Sequence, residues 1–138
     1  MATFFNKIDH IGIAVEDLEK SINIYKTLTG KAPEHLEEIK SEQVKTAFFS
    51  IGEANIELLE ATSSESPIAK FIEKQGRGGI HHICFEVDDI QAKLDELKSA
   101  GIRLIHEQPK LGAHDKLVAF VHPKDTGGVL IELSQAKR

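Results

Sequence analysis

The sequence predicts an α+β fold of two tandem βαβββ modules, curved sheets around a shared centre with the helices outside. Three observations predict it. The stretch Asp9-His10-Ile11-Gly12-Ile13-Ala14-Val15-Glu16-Asp17-Leu18 lines up with His81-His82-Ile83-Cys84-Phe85-Glu86-Val87-Asp88-Asp89-Ile90 at an offset of 72 residues. Apolar positions Leu18, Ile22 and Tyr25 recur at that offset as Ile90, Leu94 and Leu97, and Ala47-Phe48 as Ala119-Phe120. Ile56-Glu57-Leu58 then recurs as Ile131-Glu132-Leu133 at an offset of 75, the three extra residues falling in the turn from His122 to Gly128. Self-similarity over half a chain points to one duplicated supersecondary unit. The first module covers about 6–62, a linker helix and loop 63–79, and the second module about 80–135, all within a single domain.

Each element has a local reason. Over 8–15, Ile11, Ile13 and Val15 alternate with His10, Gly12 and Ala14, the period of a strand with one face on an apolar partner. Asp17 is placed to cap a helix reaching about residue 29, with apolar positions 18, 22, 25 and 28 and Gly30 as its stop. Asp89, Ile90, Leu94, Leu97 and Gly101 repeat that pattern. Strands are expected at 35–39, 44–51 and 54–60, and again at 103–107, 117–122 and 129–134, with turns at 52–55 and 123–128. Ser66 before Pro67 predicts a short helix through Lys74 that turns Ile68, Phe71 and Ile72 inward. Gly76-Arg77-Gly78-Gly79 forms the linker.

Length and composition narrow the function classes. A chain of 138 residues with 41% hydrophobic and 28% charged residues builds one core of ordinary size. It carries 17 basic against 22 acidic residues, so it lacks the basic face that nucleic acid requires. No apolar run approaches the roughly 18 residues of a membrane span, and the first residues lack a signal-peptide pattern, which excludes a membrane partner. One cysteine, Cys84, excludes an internal disulfide framework and fits the cytoplasm.

The repeat changes the weight of four polar residues. His10 and His82 hold the same place in the first strand of each module, and Glu57 and Glu132 the same place in the last. By alternation all four point away from the helix-facing apolar residues, so two symmetry-related sheets would bring two imidazoles and two carboxylates to one point. Such a set suits one divalent ion of the Mn, Co, Ni or Zn kind, with positions left open for substrate or water. His81 points to the other side of its strand; Cys84 shares the His82 face, where a thiolate ligand or nucleophile is the alternative to its reading as a small core residue; and Lys110, Lys116 and Lys124 read as solvated. The segment Pro109 to Lys116 is a candidate loop over the site.

The unit of one His and one Glu per module resembles the vicinal oxygen chelate, or glyoxalase/dioxygenase, superfamily. Within it, residues 8–15, Ser66-Pro67-Ile68-Ala69-Lys70-Phe71, residues 79–88, Pro109-Lys110-Leu111-Gly112-Ala113-His114 and the run from His122 to Leu133 resemble the methylmalonyl-CoA epimerase family, over essentially the whole chain. The resemblance implies epimerisation of (R)- and (S)-methylmalonyl-CoA by α-proton abstraction through a metal-stabilised enolate. It implies one divalent metal, often cobalt, on the residues matching His10, Glu57, His82 and Glu132, and a homodimer. It makes Glu132 one acid/base. Some members carry a second carboxylate on the strand matching 44–50, where this chain reads Val44-Lys45-Thr46-Ala47-Phe48-Phe49-Ser50; Glu42 is the candidate offered in its place. The competing readings are a glyoxalase I-type lyase acting on a glutathione adduct and a non-enzymatic small-molecule-binding protein on the same fold. A dioxygenase would need iron on two His and one carboxylate, and the second glutamate weighs against it.

Overall fold

The computed structural model describes residues 4–136. Its elements are β1 (Phe5–Ala14), α1 (Leu18–Thr29), β2 (His35–Ile39), β3 (Val44–Ile51), β4 (Ala54–Ala61), α2 (Pro67–Gln75), β5 (Gly79–Val87), α3 (Ile90–Ser99), β6 (Lys110–Leu111), β7 (Lys116–Val121) and β8 (Leu130–Ala136). The mixed α+β class expected from the sequence is the class observed. The chain divides into two compact units: His10–His81 form a middle unit, and the described residues up to Asp9 together with those from His82 form a terminal unit.

In the middle unit the strands run in the order β2-β3-β4-β1. β1 and β4 are parallel, while β2–β3 and β3–β4 are antiparallel. The helix α1 crosses over between parallel neighbours, as a parallel pair requires. Its start is fixed by Asp17, whose carboxylate accepts from Lys20 N at 3.0 Å, and by Glu60, whose Oε1 accepts from Leu18 N at 2.6 Å. Gly30 ends it with φ 78°, a conformation that costs glycine nothing. Val15, Leu18, Ala47, Phe49 and Leu58 are buried together, with Ile13, Ile22, Tyr25 and Ile56 packed against them. Leu28 departs from expectation and is 70% exposed. Ten residues on from Leu18, a helix has turned so that Leu28 stands about 80° off the buried stripe.

The short helix α2 starts as predicted, with Ser66 Oγ accepting from Ile68 N and Pro67 in the first turn. Ile68 joins a small second core with Ala14, Val44 and Leu59, against which Phe71 and Ile72 pack. Beyond α2, a Cβ on Gly78 would sit 2.4 Å from the carbonyl oxygen of Ala14, so only glycine lets the backbone pass there.

In the terminal unit the order is β5-β8-β7-β6, with β5–β8 parallel and the other pairs antiparallel. Asp89 caps α3 by accepting from Ala92 N at 3.0 Å, and Gln135 Oε1 accepts from Ile90 N at 2.7 Å. Val87, Ile90, Leu94, Ala119, Val121 and Leu133 form the buried core, flanked by Phe85, Leu97, Ile102, Leu104, Leu117 and Ile131. The outer part of β1 belongs here: Phe5 stacks on Phe85 at 4.4 Å, Asn6 donates to Asp88 at 2.8 Å, and Lys116 pairs with Asp9 at 3.0 Å.

The strand expected at 103–107 is not regular. Only Leu104 bridges to Val121, and the amides of Ile105 and His106 share the carbonyl of Phe120 at 2.9 and 3.3 Å. Two donors on one acceptor make a bulge, which breaks the ladder. The pairing resumes on the far side of Pro109, which has no N–H to give, as the two-residue β6.

Candidate metal and acid/base site

In the middle unit, Gly12 on β1 lies opposite Glu57 on β4, which sets His10, two residues earlier, diagonal to Glu57 on the same face. In the terminal unit Cys84 on β5 lies opposite Glu132 on β8, which sets His82 in the same diagonal relation to Glu132. The three extra residues between β7 and β8 do not disturb this register. They are absorbed by a 3-10 turn at Pro123–Asp125 and by Gly127 and Gly128, both at positive φ, with Gly128 N bonded to Pro123 O at 2.8 Å. An odd insertion taken up inside the strand would have turned Glu132 to the helix side.

The two pairs match in spacing. His10 Nε2 lies 3.5 Å from Glu57 Oε2, and His82 Nε2 lies 3.5 Å from Glu132 Oε1. Their side chains are 13% and 15% exposed in the first pair and 11% and 13% in the second, sheltered but open to a small ligand. Two ligand atoms about 2.1 Å from one ion stand roughly 3.0–3.4 Å from each other, so each pair offers two donors near that spacing. An imidazole nitrogen and a carboxylate oxygen are donors that a borderline divalent ion accepts.

Each glutamate has an aromatic neighbour. Phe48 lies opposite Glu57 and Phe120 opposite Glu132. The Phe120 ring meets the His82 ring nearly edge-on, with centroids 6.5 Å apart at 80°, and the His106 ring lies tilted to it by 54° with centroids 5.8 Å apart. The repeat of Ala-Phe at an offset of 72 is visible in the sequence, but nothing there shows that the phenylalanines flank the carboxylates. His106 has no sequence signal at all.

The remaining sequence candidates separate cleanly. His81 packs edge-on against Phe71 of α2, with centroids 5.0 Å apart, on the side away from the His82 face. Cys84 is fully buried, and burial first, then the charge of Glu132, pushes its thiol far above the usual range. Burial opposes the charge on Lys116, but the hydrogen bond and charge of Asp9 outweigh it and raise the Lys116 pKa. Glu42 is exposed on a 3-10 turn at Lys40–Glu42. The neighbouring Val44 pairs with Ala61, four residues beyond Glu57, which puts Glu42 about 13 Å or more along the sheet from the His10–Glu57 pair. In the segment Pro109 to Lys116, His114 and Asp115 take positive φ, and Gly112 packs its backbone against Val118 so closely that a Cβ would meet it at 2.9 Å. An open groove between α1 and the β2–β3 edge is lined by Leu18, Glu19, Leu36 and Glu37 among others and includes neither His10 nor Glu57. No helix among the described residues is long and apolar enough to cross a membrane.

Residues 9–120 match the model of the Glyoxalase/Bleomycin resistance protein/Dioxygenase superfamily. Human mitochondrial methylmalonyl-CoA epimerase is 45% identical over 130 residues, covering 94% of this chain and 74% of the human one. The ethylmalonyl-CoA/methylmalonyl-CoA epimerase of Cereibacter sphaeroides is 44% identical over 130 residues, covering 94% of this chain and 97% of its own. The crystal structure of methylmalonyl-CoA epimerase from Mycobacterium tuberculosis superposes with a TM-score of 0.86 at 34% identity, covering 100% of this chain and 93% of that one. The chain therefore belongs to the methylmalonyl-CoA epimerase family of the glyoxalase/bleomycin resistance protein/dioxygenase superfamily.

Proposed function

We propose that the protein interconverts the two epimers of methylmalonyl-CoA, using His10, Glu57, His82 and Glu132 together to hold one divalent ion. The observation that carries the reading is the matched pair of His–Glu contacts, each at 3.5 Å and each built on the same parallel register, in a chain whose relatives are named for that reaction. Two imidazoles and two carboxylates are a donor set that would suit a divalent ion. When bound, the ion supplies Lewis-acid stabilisation of the negative charge left when a proton is taken from the carbon between thioester and carboxylate.

The chain's own residues do the rest. His10 on β1 and His82 on β5 each offer an imidazole nitrogen as a ligand. Glu132 is the proton carrier on one face: it is sheltered and bordered by Phe120 and His82. Glu42, the sequence candidate for the opposite face, stands too far along the sheet from Glu57 to reach the substrate carbon, so water carries the proton on that face. The segment Pro109 to Lys116, tethered by the Lys116–Asp9 pair, is our candidate for the loop that borders the acyl group. Cobalt is the first ion to test, ahead of manganese, nickel and zinc. The reading also takes the protein as a cytoplasmic homodimer, with its single thiol buried and reduced.

The test is solvent exchange. Metal-loaded protein incubated with methylmalonyl-CoA in deuterium oxide is expected to place deuterium at the α-carbon at a catalytic rate. No exchange there, with turnover of the methylglyoxal–glutathione adduct instead, would replace this reading with that of a glyoxalase I-type lyase.

A further inference from the structure

We infer that His106 is a positioning residue: its imidazole takes the place of a backbone acceptor on the β7 edge and thereby sets the Phe120 side chain against His82 and beside Glu132. In a regular ladder the amide of Phe120 would donate to a carbonyl of the neighbouring strand. Here that strand is bulged, its Ile105 and His106 amides both spent on the Phe120 carbonyl, and His106 Nδ1 accepts from Phe120 N at 3.1 Å. The N–H and C=O of a strand residue point the same way, so both polar groups of Phe120 face the 103–106 segment and Phe120 opposes Glu132 as a non-hydrogen-bonded pair, the closer of the two pairings. The three rings form a row, His106 to Phe120 at 5.8 Å and Phe120 to His82 at 6.5 Å.

The segment that carries His106 is pinned at both ends. Arg103 gives three hydrogen bonds to the Asp125 carboxylate, from its backbone N at 2.9 Å and from its guanidinium at 3.0 and 3.0 Å. Glu107 is held by Lys98 Nζ at 2.5 Å, and its carbonyl accepts from Gln91 at 3.3 Å. An acceptor at Nδ1 requires the neutral tautomer with hydrogen on Nε2. Burial first, and the charge of Lys110 second, lower the His106 pKa and keep that tautomer. The consequence is a path of three contacts from an irregular edge to a proposed metal ligand and the proposed proton carrier, so an error at His106 misaligns both without touching either.

This inference rests on the epimerase reading, and its test separates the two. His106→Ala removes the acceptor; His106→Asn returns an oxygen at the position of Nδ1. Three measurements are made on each: amide hydrogen exchange at Phe120, the visible absorption of bound Co2+, and kcat and KM for methylmalonyl-CoA. The alanine variant is expected to speed Phe120 exchange at least about tenfold, to shift the Co2+ band, and to lower kcat about tenfold with KM within about twofold, since small misplacements cost rate more than binding. The asparagine variant is expected to restore all three. Unchanged Phe120 exchange and kcat in His106→Ala, or an asparagine variant as impaired as the alanine one, would overturn the inference. If the unaltered protein moves no α-proton of methylmalonyl-CoA, the epimerase reading fails by itself, and amide exchange with the Co2+ band still upholds or overturns the role of His106.

Discussion

The middle and terminal units use equivalent residues for their cores and for their His–Glu pairs, yet differ along their outer edges. Val15, Leu18, Ala47, Phe49 and Leu58 in one core answer to Val87, Ile90, Ala119, Val121 and Leu133 in the other. The first turn of each crossover helix is held by the residue three places after the ligand-position glutamate, a carboxylate at Glu60 and an amide at Gln135. At the edges the agreement stops. β2 pairs with β3 over five residues, whereas the segment beside β7 is split into a bulge and a two-residue strand. The two units share their register where a crossover helix and a His–Glu pair depend on it, and differ where a strand has only one neighbour. At the bulge the Phe120 amide is satisfied by a side chain, His106, in place of a backbone carbonyl.

The comparison breaks most visibly at the ligands. If the pairs are equivalent in binding, His10→Ala and His82→Ala should each abolish stoichiometric metal and lower turnover by about a hundredfold or more while circular dichroism stays unchanged. A variant that kept its metal would show that its half contributes nothing. Because protonated imidazoles do not bind, metal affinity of the unaltered protein should fall as pH drops.

The glutamates sharpen the comparison next. Glu132→Gln keeps an oxygen donor but loses the proton acceptor, and a kcat loss of about a hundredfold at saturating metal is expected. Glu57→Gln, equivalent in place, should weaken the metal and cost less than about tenfold in kcat under the same condition. Equal losses would remove the special role of Glu132. In the cores, Leu94→Ala should cost about 3 kcal/mol and Ile22→Ala about half of that, because Leu94 is fully buried and Ile22 only in part; urea unfolding measures both.

The edges differ in their response to acid. The unfolded chain protonates the His106 imidazole below about pH 6.5, while burial and then Lys110 make the folded chain resist that proton. The stability this tautomer contributes is therefore present above that pH and is lost as pH falls toward the lowered folded value. The His106→Asn protein should show a shallower fall over the same window in thermal melts. The smallest effect is expected for Glu42→Gln, within about twofold in kcat, because the exposed turn at Lys40–Glu42 stands far from Glu57.

Much of this is legible in the sequence. Asp17, Ser66 and Asp89 cap the three helices from the positions the sequence assigns, because a cap depends on residues two or three places away. The His–Glu diagonals were legible because alternation fixes a face and the repeat supplies a second copy. The bulge at Ile105 and His106, the outward Leu28 and the attachment of Asn6 to Asp88 were not, since each is decided by partners distant in sequence. The ring row from His106 to His82 belongs to the same class: it exists only once β7 has been laid between two unequal neighbours.

The central claim, that two His–Glu pairs from two halves of one chain serve a single ion, is tested most directly by counting. Protein freed of metal, titrated with Co2+ and followed by its absorption and by metal analysis, should bind one tight equivalent per chain, and that equivalent should vanish on changing either His10 or His82 to alanine. Two tight equivalents per chain, each lost with a different histidine, would show two independent sites and contradict the account.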